Sequence, residues 1–291
     1  MDADLDLLLT VTAVYCTADD LLPQKPENAR RIVTDAEVVT LCVAQAIMGI
    51  PSDRRFLRVA GKHLRHLFPQ IPGQAGYFKR RRRLTDTLEW LMQVFASQSP
   101  GFYDDLLLVD STPVECARSR ETVKRSQLAD AADYGYCASH SRFFWGFRMH
   151  AIFAPDGTQR AVTVASPKRD ERDVALELLA RTRREGPVTL IGDKGYAGRA
   201  FAQAISDMGA TILRPVRKNE SGRGPHLAPI RQRIESIFWS CKSTLTLERH
   251  GARTLQGLRE RVLQRLLTLA AAVSLNHQLG RPSRALVDYC A

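Results

Sequence analysis

Near residue 105 the hydrophobic period of the chain changes from helical to strand-like, so the fold must combine at least two kinds of layer. Before that point apolar residues fall on helical faces: Leu5, Leu8, Leu9 and the stretch Thr12 to Tyr15 form one stripe. DAEVVTLCVAQAIMG (35–49) predicts a buried helix closed by Gly49 and Pro51. Behind Ser52 as N-cap, RRFLRVAGKHLRHLF (54–68) predicts an amphipathic helix. Its Phe56, Leu57, Val59, Ala60, Leu64 and Leu67 oppose Arg54, Arg55, Arg58, Lys62 and Arg65. Residues 77–96 read as one further helix with Leu84, Leu88, Leu91, Met92 and Phe95 inward. The four arginines at 80–83 cannot share a face, so at least two must point to solvent or phosphate.

Beyond residue 105, LLLVDSTPV (106–114), FFWGFRMHAIFA (143–154) and GTQRAVTVAS (157–166) read as strands, the last two joined in a hairpin by Pro155-Asp156-Gly157. A helix (172–184), a strand running from Val188 to Asp193, a helix closed by Gly209 and a strand (210–216) follow. After a Gly/Pro-rich loop (217–229) come a helix opening IRQRIES and a long helix through about 255–279, read as closing one face of the sheet. The order predicts an α/β fold, a mixed sheet flanked by helices, behind a small all-helical domain. The expected division is 1–100 and 101–291, with the basic helices of the first part suited to DNA.

Charge narrows the partner. Lys+Arg number 42 against 31 Asp+Glu, a net +11, and 34 of the cations are Arg. Residues 1–105 balance at 13 of each sign, whereas residues 211–291 carry 14 cations against 5 anions. Such an excess favours a polyanion, and Arg offers bidentate phosphate contacts, although Arg usage also follows coding composition. No uncharged run of 18 apolar residues occurs, and the start MDADLDLLLT is acidic where a signal peptide is basic, which predicts a cytoplasmic protein. Cys16, Cys42, Cys116, Cys137, Cys241 and Cys290 read as reduced thiols. Without a CxxC, the set Cys116, Cys137, His140 and His150 makes a poor zinc site, and both histidines read as structural.

Three carboxylates stand where a sheet-based site presents side chains. Asp110 follows the apolar LLLV, Asp193 ends LIGD, and Glu235 lies on the helix RQRIES. Each has an ordinary explanation: a D-S-T-P turn for Asp110, a turn between Gly192 and Gly195 for Asp193, an i−4 pair with Arg231 for Glu235. Jointly, acids emerging from buried strands need a cation, and Mg²⁺ or Mn²⁺ takes oxygen ligands. Helical spacing sets Arg231, Glu235, Trp239 and Lys242 on one face, with Trp239 read as core in preference to a stacking platform.

VDSTPV around Asp110, IGDKGY around Asp193, and R-x3-E-x6-K over Arg231, Glu235 and Lys242 resemble the DDE triad of insertion-sequence transposases with an RNase H-like domain. YGYCASHSRFFWGFRMH (134–150), LRPVRKNE (213–220) and ERHGARTLQGLRERV (248–262) are similar to the insertion sequence 982 group. The wider signature carries a Tyr three residues before the Arg, and this chain has Ala228. The resemblance implies a transposase that binds terminal inverted repeats, cuts DNA to a 3′-OH and joins it to target DNA. It implies a magnesium cofactor, with manganese as substitute, held by Asp110, Asp193 and Glu235. Lys194, Arg231 and Lys242 would contact phosphates at the site, and Arg214, Arg217 and Lys218 would do so on its rim. It further implies a homodimer on DNA in the bacterial nucleoid. A metal-dependent nuclease without strand transfer, and an inactive transposase-derived DNA-binding protein, are the alternatives. The arginines of the final helix are expected to add DNA affinity.

Overall fold

A computed structural model describes residues 2–23, 32–137, 141–217, 220 and 224–285. His140, Lys218 and Cys290 lie outside the described residues. The chain forms two compact units, one of Met1–Phe95 with Ser240–Ala291, the other of Ala96–Trp239.

The first unit is helical: α1 (Asp2–Leu21), α2 (Asp35–Ile47), α3 (Asp53–His63), α4 (Gln74–Arg83), most of α5 (Thr85–Ser97), and the last helix, α10 (Leu255–Gln278). Thr34 opens α2 with a capping box shared with Glu37, which satisfies two donors that a helix start otherwise leaves open. α2 is buried on every face, from Val38 to Ile47. The expected single helix over 77–96 is broken at Leu84 into α4 and α5. Of the four consecutive arginines, Arg82 and Arg83 are exposed, as the spacing requires, while Arg81 is buried.

The expected boundary at residue 100 is corrected on its C-terminal side, because Ser240–Ala291 returns to the helical unit. The cause is a buried polar cluster. Asp53 accepts from Arg81 Nη1 and Nη2 (2.8 and 3.0 Å) and from Arg261 Nη2 (2.7 Å). Arg81 also pairs with Glu260, and Gln264 donates to the Cys42 carbonyl at 2.7 Å. Burial alone would raise the Asp53 carboxyl, but hydrogen bonds and charge from Arg81, with Arg261 and Gln45, hold it far below the carboxylate range. α10 is therefore a central strut of the helical unit, and Leu258, Val262, Leu266, Leu269 and Val273 are core. Its arginines serve the fold: Arg261 and Arg265 are buried, and Arg259 pairs with Asp86 and Glu89.

The second unit holds β1 (Leu106–Ala117), α6 (Arg120–Arg125), β2 (Asp133–Cys137), β3 (Arg142–Phe153), β4 (Gln159–Ala165), α7 (Glu171–Arg181), β5 (Val188–Ile191), α8 (Arg199–Asp207), β6 (Ala210–Leu213) and α9 (Ala228–Trp239). The sheet runs β2-β3-β1-β5-β6, and β4 also pairs with β3. β1, β3 and β4 are antiparallel neighbours, whereas β5 and β6 run parallel to β1. Since β1 occupies one edge of β3, β2 and β4 share the other, β2 along residues 142–146 and β4 along 148–153. This is the expected RNase H-like mixed sheet with flanking helices, and the β3–β4 hairpin falls where Pro155-Asp156-Gly157 placed it. β2 and α6 are additions to the expected order. Leu107 and Val109 of β1 pack with Val174, Leu178 and Leu179 of α7 and Phe201 and Ile205 of α8. On α9, Phe238 meets Phe153 edge to face at 6.0 Å. Among the described residues, no helix is long and apolar enough to cross a membrane.

Candidate active site

Register brings the two aspartates together. β1 and β5 pair in parallel with Leu108 beside Ile191; two residues further on, the neighbouring chains reach Asp110 and Asp193. Adjacent strands lie about 4.8 Å apart, so the two carboxylates come side by side where β5 ends and β1 continues along β3. Gly192, just before Asp193, continues the β5–β6 ladder, donating to the Leu213 carbonyl at 3.0 Å. A Cβ at Gly192 would stand 2.7 Å from the Tyr196 ring, so the close approach of that ring requires glycine. Asp193 then caps a single turn, Lys194–Tyr196, its Oδ1 accepting from Gly195 N at 2.7 Å. The turn explanation for Asp193 is thus also true, and it fixes the carboxylate beside Asp110.

Asp110 is poorly solvated. Burial is the largest influence on its carboxyl, the Ser111 N–H acts against it, and Asp193 and Glu171 add repulsion that Arg231 only partly offsets, leaving it pushed up to about 7. Tyr196 lies in the same field: burial, then Asp110, Glu171 and Asp193, raise its hydroxyl well above the usual phenol value. That hydroxyl is buried without a hydrogen-bond partner among the described residues. A crowded set of oxygen donors beside an orphaned phenol suits a hydrated hard cation, which would neutralise the acids and give the hydroxyl a water to bond.

Glu171 and Arg148 escaped the sequence reading. Arg148 Nη1 donates to Glu171 Oε1 (2.6 Å) and Ser111 Oγ (2.7 Å), and Ser111 Oγ donates to Glu171 Oε1 (3.1 Å). Sixty residues separate Ser111 from Glu171, and only the pairing of β1 with β3 and the start of α7 unites them. Tyr196 had a signal, its place in IGDKGY, which points to the loop without saying where the ring goes.

Glu235 is exposed on α9, which packs on β1 through buried Ile234, Ile237 and Phe238. Arg231 sits one helical turn earlier, and its charge reaches Asp110. Glu235 shares the stripe of α9 that carries Arg231. No ion pair with Arg231 is present among the described residues. Nor, among them, do three acid, histidine or cysteine side chains converge closely enough to hold a metal ion, so the structure joins Asp110 to Asp193 and leaves Glu235 apart.

The expected cations divide. Lys194 and Arg217 are exposed, and Arg217 Nε donates to the Lys194 carbonyl at 3.0 Å. Arg214 is held by Glu220 through two bonds of 2.8 and 2.7 Å. Lys242 falls in a π-helical turn, Ser240–Thr244, beyond the end of α9, and pairs with Glu248 at 3.6 Å. The change of helical period removes the argument that set it on one face with Arg231 and Glu235. Trp239, expected in the core, is 61% exposed. His150 is buried, and burial followed by the charges of Arg148 and Arg169 lowers it to about 4, so it is a neutral core histidine. Cys42, Cys137 and Cys241 are buried free thiols.

No curated protein matches the chain. A piggyBac transposase, solved by cryo-EM in a synaptic complex with hairpin DNA, aligns over 97% of this chain and 84% of its own at 9% identity, with a TM-score of 0.44. At that score the topology described above carries the fold assignment unaided. The family profile of the transposase DDE domain matches residues 102–271, more than half of the chain, and spans both aspartates and Glu235. The chain belongs to the DDE-domain transposases, enzymes that cleave and join DNA.

Proposed function

We propose that the chain is the transposase of an insertion sequence of the 982 type, acting on its own terminal inverted repeats. The observation that supports the reading is that the parallel register of β1 and β5, with Leu108 beside Ile191, carries the neighbouring chains on to Asp110 and Asp193, whose charge is felt at Asp110. Asp110 and Asp193 would hold one divalent ion, and Asp110 with Glu235 a second. Bound there, Mg²⁺ or Mn²⁺ supplies activation of a water or 3′-hydroxyl nucleophile and neutralises charge on the departing oxygen. The chain does the rest. Arg148 and Glu171 fix Ser111 and with it the backbone of Asp110, while the buried Tyr196 hydroxyl donates to a solvent or phosphate oxygen beside the acids. Arg231 and Lys194 hold phosphates next to the reacting bond, and Arg217 extends that grip. Arg214 and Lys242 reach phosphate only by releasing Glu220 and Glu248. The exposed Arg54, Arg55, Arg58, Lys62 and Arg65 of α3 and the residues just after it give the helical unit its own DNA contact, and two copies assemble on paired ends.

The test uses DNA carrying the inverted repeats that flank the gene. With Mg²⁺ the protein should release 3′-OH ends and join them to a second duplex, and Asp110→Asn or Glu235→Gln should abolish both steps. Cutting without joining would identify a nuclease, repeat binding without cutting under any divalent ion a binding protein, and full activity in either variant would refute the assignment of the acids.

A further inference from the structure

We propose that the β2–β3 hairpin is a stacking platform for the bases of an unpaired DNA strand. Tyr134, Tyr136 and Phe143 are 50%, 47% and 75% exposed. Register sets Tyr136 opposite Phe143 and Tyr134 opposite the buried Trp145, so four aromatic side chains share one face of two strands. The Tyr136 and Phe143 rings lie 5.0 Å apart at 57°. The opposite face is packed: a Cβ at Gly135 would stand 2.6 Å from the Pro167 Cβ and 2.7 Å from the Phe144 ring. Arg148 Nη2 donates to the Tyr136 carbonyl at 2.7 Å, tying β2 to the network around Ser111. The hairpin is thus held firmly while its rings face water, and a patch of exposed rings on a firm support marks a binding surface.

Its surroundings choose the occupant. Every exposed large hydrophobic side chain described in this unit is aromatic, Tyr103 and Trp239 included, and any base can lay its π-face on such rings. Cations flank the platform. Arg142 opens β3 in a 3.6 Å pair with Glu115, and α6, which leaves β1 just after Ala117, the partner of Trp145, carries exposed Arg120 together with Lys124 and Arg125 in open pairs with Glu121 (3.5 and 3.9 Å) that a phosphate can replace. Ring faces for bases and cations for phosphates are the two components of single-strand binding. Eight residues of β3 separate Phe143 from Ala151, the partner of Asp110. That is about 27 Å of strand, so the platform takes an unpaired stretch flanking the reacting bond and leaves the bond itself to the acids. This inference rests on the reading of the chain as a DNA transposase.

The experiment is fluorescence anisotropy with a short oligothymidine strand and a duplex of equal length, with the full chain carrying Asp110→Asn so that nothing is cut. Tyr136→Ala with Phe143→Ala should weaken single-strand binding about tenfold and duplex binding much less. Tyr136→Phe with Phe143→Tyr, which keeps both rings, should restore it. Single-strand binding by the alanine pair equal to that of the ring-keeping pair would overturn the platform, as would a change in self-association by sedimentation in place of a change in binding. Should the double variant misfold, Phe143→Ala alone, at the most exposed ring, distinguishes the same outcomes. Ring-dependent binding, with a parent chain carrying Asp110 intact that cuts no end DNA under Mg²⁺, would preserve the platform while sinking the catalytic assignment.

Discussion

Asp110→Asn isolates the electrostatic cost of the site. The Asp110 carboxyl is pushed up from 3.8 to about 7, chiefly by burial. That interval corresponds to roughly 4 kcal/mol, an upper limit because Asp110 keeps some contact with solvent. Between those values the folded chain holds a proton that the unfolded chain has released, so native stability from this group falls as pH rises through the window. Asparagine keeps the shape and removes the charge. Without divalent metal, Asp110→Asn should therefore converge on the parent toward about pH 4, where both states keep the proton, and melt progressively higher than it as pH rises to about 8. At roughly 2–4 °C per kcal/mol for a domain of this size, the gap should reach several degrees. Metal reverses the sign, because an ion binds the ionised carboxylate: Mn²⁺ should raise the parent's melting temperature at pH 8 with an affinity that drops about tenfold per pH unit below 7, and should leave Asp110→Asn unmoved. Calorimetry in chelator and in Mn²⁺ across pH 5–8 measures both effects. Parallel curves for parent and variant in chelator, or equal stabilisation of both by Mn²⁺, would refute the reasoning.

Three further outcomes are expected. Glu235→Gln should cut cleavage of end DNA by at least about a hundredfold while stability stays within about 0.5 kcal/mol, because the side chain is exposed on α9; gel assays and urea melts separate the two. Asp53→Ala strands Arg81 and Arg261 in the helical unit and should cost about 3–5 kcal/mol, read as a lower urea midpoint for that unit. Gly135→Ala drives a Cβ into Pro167 and Phe144 and should cost about 1–3 kcal/mol, with faster amide exchange across β2 and β3.

Local pattern makes most of the architecture legible. The change of period near residue 105 locates the sheet, and the Pro155-Asp156-Gly157 turn locates a hairpin, because both signals reside in a few adjacent residues. The two aspartates are legible for a similar reason: each follows an apolar strand, and parallel register does the rest. The helix over 77–96 departs from its pattern because Arg81 is drawn inward by Asp53 and Glu260, partners that no local pattern announces. Lys242 leaves its expected face because the π-helical turn after Trp239 alters the period that placed it there. Glu171 and Arg148 meet Ser111 only through tertiary pairing. β2 is hidden in the sequence because DYGYC, with a glycine at its centre and its tyrosines facing water, lacks the apolar alternation that marks a half-buried strand.

Charge counted along the chain does not locate charge on the surface. The count puts the surplus in residues 211–291 and gives the first 105 residues a balance of zero, which points to the C-terminal stretch as the docking face. In the folded helical unit the C-terminal cations meet the N-terminal anions: Arg261 takes Asp53, and Arg259 takes Asp86 and Glu89. Asp35 is taken in turn by Arg80. Each such pair removes one C-terminal cation, or one anion of the balanced segment, from the charge that a phosphate backbone would meet. Among the cations left exposed in this unit, the row Arg54, Arg55, Arg58, Lys62 and Arg65 along α3 and just beyond it lies within the segment that counts to zero, as do Lys79, Arg82 and Arg83, against Arg249 and Arg253 in the basic stretch. The excess of +11 is a property of the whole chain, and the pairing of distant segments decides which helix displays it. The phosphate contact proposed for this unit therefore draws on cations of the balanced segment, α3 first, whereas α10, in the most basic stretch of sequence, spends Arg259, Arg261 and Arg265 on pairs within the unit.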